Sequence, residues 1–230
     1  MIMIKNLGLI LTFVVCAANT DAAVPRRAVS DEQIIAQGQL VSSGTYVEIY
    51  QHGVTIDPSF LKLMESAYEE VQRVTGLKLD TATLGSKVRV YVSDSVGPSH
   101  VWKGYQHPSD PKAIIFLNPR VYLGAMSGKN ATHIHELTHL FTWRFNSHTL
   151  REVLEHLGTT KPPPEWASTD PVRRSAYYFA SYQFARYLIE MRDLETFMKL
   201  YVSENPEMEI KSLYGLGREE AVQAALGTRS

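Results

Sequence analysis

The chain has 230 residues, 44% of them hydrophobic and 20% charged, with a formal net charge of -1. This is the composition of an ordinary globular protein of one domain, or of one domain in two lobes. A near-neutral charge without a long run of one sign excludes a surface built for nucleic acid or anionic lipid, so partners have to be sought at a site.

Residues 1–22 read as a secretory signal peptide. Lys5 supplies a positive start, Leu7 to Ala18 a short apolar run, and small residues around Ala22 and Ala23 a cleavage site. The run is too short to span a bilayer easily and no second hydrophobic stretch follows, so no stable membrane insertion is expected after cleavage. Val14 and Val15 precede Cys16 where lipid attachment would call for small residues. The expected product is exported, either periplasmic or secreted. Cys16 is the single cysteine, so the processed chain is expected to have no disulfide, no thiolate nucleophile and no cysteine metal ligand.

Residues 23–43 are polar and read as a flexible N-terminal arm, and residues 44–230 as a single domain with lobes of about 44–146 and 147–230. Tyr46 to Tyr50 alternates as a strand does. Pro58-Ser59 opens a helix in which Leu61, Met64, Ala67, Tyr68 and Val71 recur at helical spacing, and Gly76 closes it. Lys87 to Val92 is a second alternating strand. A loop rich in Gly, Pro and His follows from Gly97 to Pro111, and Ala113 to Leu117 is a third strand. Asn130 is the expected N-cap of a helix running to about Phe145. Lys161-Pro162-Pro163-Pro164 is a stiff connector that cannot be helical inside. Aromatic and aliphatic residues at helical spacing mark Ser175 to Val202, and a last short helix covers Arg218 to Leu226. Strands with one helix, then a motif helix, then an all-helical half describe an α+β fold.

The motif is His135-Glu136-Leu137-Thr138-His139. Histidines at i and i+4 lie on one helix face, one turn apart, and both imidazoles can reach one tetrahedral Zn²⁺. Glu136, beside the first ligand, is placed to take a proton from a water whose pKa the metal lowers towards about 7. Ile134, Leu137, Leu140, Phe141 and Trp143 make the segment mostly apolar, and polar groups in such a helix need a partner. A catalytic zinc takes three protein ligands and keeps one open position. The extended pattern with a third histidine six residues on is absent, because Thr142 and Phe145 stand at its Gly and His positions. The third ligand must come from farther along, and an acidic residue is the natural candidate. His133 is expected to face away from the ligands, at the surface or behind them. His100, His107, His148 and His156 carry no expectation of a role.

With this motif, the chain resembles the gluzincin zinc metallopeptidases, specifically the small exported peptidase MA-like domains. The resemblance covers most of residues 45–226 and rests on three elements: the H-E-L-T-H helix, a P-x-W segment at Pro164-Glu165-Trp166, and a later helix with Tyr178, Phe184, Tyr187 and Leu188. It implies a zincin-like fold, an N-terminal mixed sheet with the active-site helix and an all-helical C-terminal lobe. It implies Zn²⁺ as cofactor and a peptide or protein substrate, peptidoglycan peptides included. In the family the Glu of W-x-x-E-G is the third zinc ligand, but this chain has Thr169 there and Asp170 at the following Gly. Three readings stay open: Asp170 ligates with a one-residue shift, Glu165 swings in from the other side of Trp166, or the site is degenerate. The resemblance also implies that Tyr178 stabilises an oxyanion near the metal. It further implies that Ala113–Leu117 is an edge strand able to pair with an extended peptide. A catalytically degenerate binding protein and a closed structural zinc site are the competing expectations.

Overall fold

The computed structural model describes residues 29–102, 110, 112–143 and 183–227. The expected signal peptide, the Pro162–Pro164 connector, and Glu165, Thr169, Asp170, Tyr178, His107, His148 and His156 lie outside the described residues. The chain divides between Arg144 and Phe145 into two compact units.

In the N-terminal unit, Ser30 caps helix α1 (Asp31–Gln37) with a capping box, its hydroxyl accepting from the Gln33 N–H while Gln33 reaches back to the Ser30 N–H. Strand β1 (Gln39–Ser43) follows and pairs antiparallel with β2 (Val47–His52). Residues 31–43, expected as a flexible arm, therefore form a helix and a sheet strand. The reason is Ile34, which is 1% exposed against Tyr91, Val96, Trp102, Ile114 and Phe116, with Val29 and Ile35 packed against the same cluster.

Helix α2 (Phe60–Thr75) buries Phe60, Met64, Ala67, Tyr68, Val71 and Val74 on one stripe, and Gly76 ends it with φ +68° while its N–H caps the Gln72 carbonyl. A single turn, α3 (Thr81–Leu84), leads to β3 (Val88–Ser93), and β4 (His100–Val101) and β5 (Ile114–Leu117) complete a sheet of order β1-β2-β3-β5-β4. β3 pairs parallel with both β2 and β5, and β4 runs antiparallel to β5. Interior parallel strands are covered on both faces. Val47, Ile49, Val88, Val90, Val92, Ile115 and Leu117 face one core with α2, and Tyr91, Ile114 and Phe116 face the core under α1.

This sheet corrects one expectation. Ala113–Leu117 is not an edge: β5 lies between β3 and β4, fully buried, and the edge on that side is β4, drawn from a segment that read as loop. Two residues are too few for strand periodicity to show.

Asn118 caps helix α4 (Pro119–Met126), and helix α5 (Thr132–Phe141) carries the motif. Asn130 Oδ1 accepts from the Thr132 N–H at 2.6 Å, which satisfies a first-turn donor although the helix begins one residue later than expected. α5 packs on α2, α4, β4 and β5. The fold shown is α+β, a five-stranded mixed sheet with helices.

In the C-terminal unit the described elements are all helical. Residues 183–191 are helical, with Phe184 and Leu188 buried. α6 (Leu194–Tyr201) is capped by Asp193, α7 (Pro206–Tyr214) by Asn205, and α8 is Arg218–Gly227. The Asp193 cap breaks what the spacing alone reads as one run to Val202, because Asp193 is extended and accepts from the Thr196 N–H at 2.7 Å.

Candidate metal site on helix α5

The helical spacing of the motif sorts its side chains onto two faces. Thr132, His133, Glu136, Leu137, Leu140 and Phe141 are buried, while His139 is exposed and His135 is half-buried between them. Leu137 and Leu140, fully buried in the core with α2, set the rotation of the helix. With that rotation fixed, His135 and His139 point to the same side one turn apart. Their Nε2 atoms converge to 3.1 Å, with the rings edge to face.

Two nitrogens each bonded to one tetrahedral zinc at 2.0–2.1 Å stand about 3.3 Å apart. The observed convergence is of the size that a pair of ligands holding one ion through Nε2 would show. Among the described residues no group of three or more His, Cys, Asp or Glu side chains is placed to hold a metal. Both candidates for the third ligand, Asp170 and Glu165, lie outside those residues, as does Tyr178.

Glu136 lies on the buried side of the helix and is 6% exposed. Burial pushes its carboxyl up to about 8, against a pull from the His100 charge. A carboxyl raised into the neutral range is suited to exchanging a proton at working pH. His133, expected at the surface or behind the ligands, is buried at 5% exposure. Burial pushes its imidazole down to about 4, and its Nδ1 has no hydrogen-bond partner among the described residues. It belongs to the core face because it precedes Leu137 by four residues.

Sequence reasoning passed over His100. The edge strand brings it to α5, so that the His100 and Glu136 charges act on each other, and helix α1 brings Asp31 to within 3.0 Å of its Nε2. Asp31 and His100 lie far apart in the chain and belong to segments that read as arm and loop, and no local pattern links them.

The fold and site together define an α+β protein whose motif helix carries two convergent imidazoles beside a buried carboxyl. Comparison of the chain with protein-family models, with curated proteins and with solved structures finds no match.

Proposed function

We propose that this chain is an exported zinc-dependent hydrolase of peptide or related amide bonds. His135 and His139 hold the metal through Nε2, Asp170 is the third ligand, Glu136 is the general base and Tyr178 stabilises developing oxygen charge. The observation that supports this reading is the 3.1 Å convergence of the two Nε2 atoms with the Glu136 carboxyl on the adjacent side of the same helix. Bound zinc supplies Lewis-acid polarisation of the scissile carbonyl and a more acidic water. Glu136 takes a proton from the attacking water and delivers it to the leaving nitrogen, so the carboxylate is restored at the end of the cycle. Burial keeps bulk water from competing for that proton.

The test is metal content and hydrolysis measured on the same preparations. The wild-type protein is expected to hold about one zinc per chain, and Asp170→Ala to lose it while Glu165→Ala keeps it. Zinc loss in Glu165→Ala alone would move the third ligand to that residue. Wild-type protein that folds but binds no zinc, and gains zinc in Thr169→Glu, would replace the enzyme reading with a degenerate peptidase fold.

A further inference from the structure

His100 is the first residue of the edge strand β4, and Asp31 the first residue of α1. His100 Nε2 lies 3.0 Å from Asp31 Oδ2, and its Nδ1 lies 3.0 Å from the Pro98 carbonyl oxygen. Both partners are acceptors, so both ring nitrogens carry protons in this arrangement and the imidazole is a cation. The ring stacks on Phe116 of β5, centroids 4.9 Å apart and planes at 20°. The side chains of His100 and Asp31 are 31% and 11% exposed, less than in the surface pairs Arg73–Glu70, Lys112–Asp110, Arg186–Glu190 and Lys199–Glu195. Neither N–H of His100 is left for a substrate, so any part it plays is one of position.

We propose that Asp31 and His100 form a charged latch that fastens α1 to the edge strand and so positions β4 beside Glu136. The apolar half of the same attachment is Ile34, buried among Tyr91, Trp102, Ile114 and Phe116. The charges facing His100 are Asp31 from α1 and Glu136 from α5, both acidic; β5 presents only Ile115 and Phe116 across the β4 register. Burial works against the His100 charge, but the Asp31 hydrogen bond, the Pro98 carbonyl and the Asp31 charge outweigh it and hold its pKa above 6.5, with Glu136 adding to them only where it is ionised. A base raised in the folded state contributes stability that is complete below its ordinary value and lost as pH rises through the raised one. The latch is thus closed in mildly acidic solution and opens with rising pH. Its consequence for catalysis rests on Glu136 being the base proposed above; the latch itself does not.

Amide hydrogen exchange on the full chain, corrected for the intrinsic pH dependence of exchange, tests the proposal together with an NMR titration of the His100 ring. In wild type, the amides of residues 31–37 and 100–101 are expected to exchange faster once His100 has lost its proton. Asp31→Asn is expected to exchange about tenfold faster than wild type at pH 6 and no faster above the His100 titration, as for one lost charge-assisted hydrogen bond. The His100 pKa is expected to fall in the same variant. His100→Gln is expected to show fast exchange with no step in pH, and Ser30→Ala, which loosens α1 without touching the pair, to keep the step. An unmoved His100 titration in Asp31→Asn, or faster exchange in α1 with β4 unchanged, would overturn the latch. Wild-type protein that binds no zinc but shows the step overturns only the reading of the metal site. Wild-type protein that binds zinc, with Asp31→Asn exchanging as wild type does, overturns only the latch.

Discussion

Glu65, in the middle of α2, reaches back to the start of β2, where its Oε1 accepts from the backbone N–H groups of Tyr46 at 2.8 Å and Val47 at 2.7 Å. One carboxylate oxygen thus closes the end of the β1–β2 hairpin and ties the sheet to the helix that supports α5. Gly44 leaves room for it, since a Cβ there would stand 2.6 Å from the same oxygen. Glu65→Ala would leave two partly buried donors unpaired and is expected to cost about 2–3 kcal/mol. Glu65→Gln keeps an acceptor and is expected to cost less than half as much. Urea unfolding of both variants at pH 7 checks the order: equal losses would show that a neutral acceptor cannot replace the carboxylate, and no loss in Glu65→Ala would show that the carboxylate is not what holds the hairpin.

The site prediction concerns Glu136. Glu136→Gln keeps the shape of the buried side chain and removes only its ability to take a proton. Hydrolysis is expected to fall by about 10²–10⁴-fold with zinc content and folding retained. Amide hydrolysis by the purified variant at wild-type level would remove Glu136 from the chemistry.

The same carboxyl makes a second, independent prediction about stability in metal-stripped protein. Its pKa in the folded chain is pushed from 4.5 to about 8, so between those values the folded state holds a proton that the unfolded state has released. Stability is therefore expected to fall as pH rises from about 4.5 to 8, by on the order of 5 kcal/mol over the full window. Glu136→Gln should flatten that slope and be more stable than wild type at pH 8. Thermal unfolding across pH with a chelator present reads the difference, and parallel curves for the two proteins would contradict it.

His133 works in the opposite direction. Its folded pKa is pushed down to about 4, so as pH falls below 6.5 the unfolded chain takes a proton the folded chain refuses. Stability is expected to be lost between about pH 6.5 and 4, by on the order of 3 kcal/mol. His133→Leu removes both the titration and the unpaired Nδ1, so its acid limb should be shallower with no loss at pH 7. A variant as acid-sensitive as wild type would place that transition on other groups.

Metal affinity follows the two imidazoles. His135→Ala and His139→Ala are each expected to abolish stoichiometric zinc binding, because two remaining ligands do not make a catalytic site. Binding to wild type is expected to weaken as pH falls, because protons compete with the metal for the same nitrogens. Atomic absorption after dialysis at pH 7.5 and pH 5.5 measures both effects.

Much of this was written in local sequence. Alternation in Tyr46–Tyr50 and Lys87–Val92, helical spacing from Leu61 to Val71 ending at Gly76, and the i, i+4 histidines are all short-range patterns, and short-range sterics and hydrogen bonding suffice to produce them. Helix geometry alone puts His135 and His139 on one face. It does not say which way that face turns. The rotation of α5, which buries Glu136 and His133 and leaves His139 exposed, follows from packing Leu137 and Leu140 against α2 and the sheet, residues distant in sequence. The order of the strands was equally beyond local pattern, since pairing β4 outside β5 turned an expected edge into a buried strand. So was the meeting of Asp31 with His100. Such contacts depend on chain closure and on burial summed over many residues, and no single segment carries a mark of its partner.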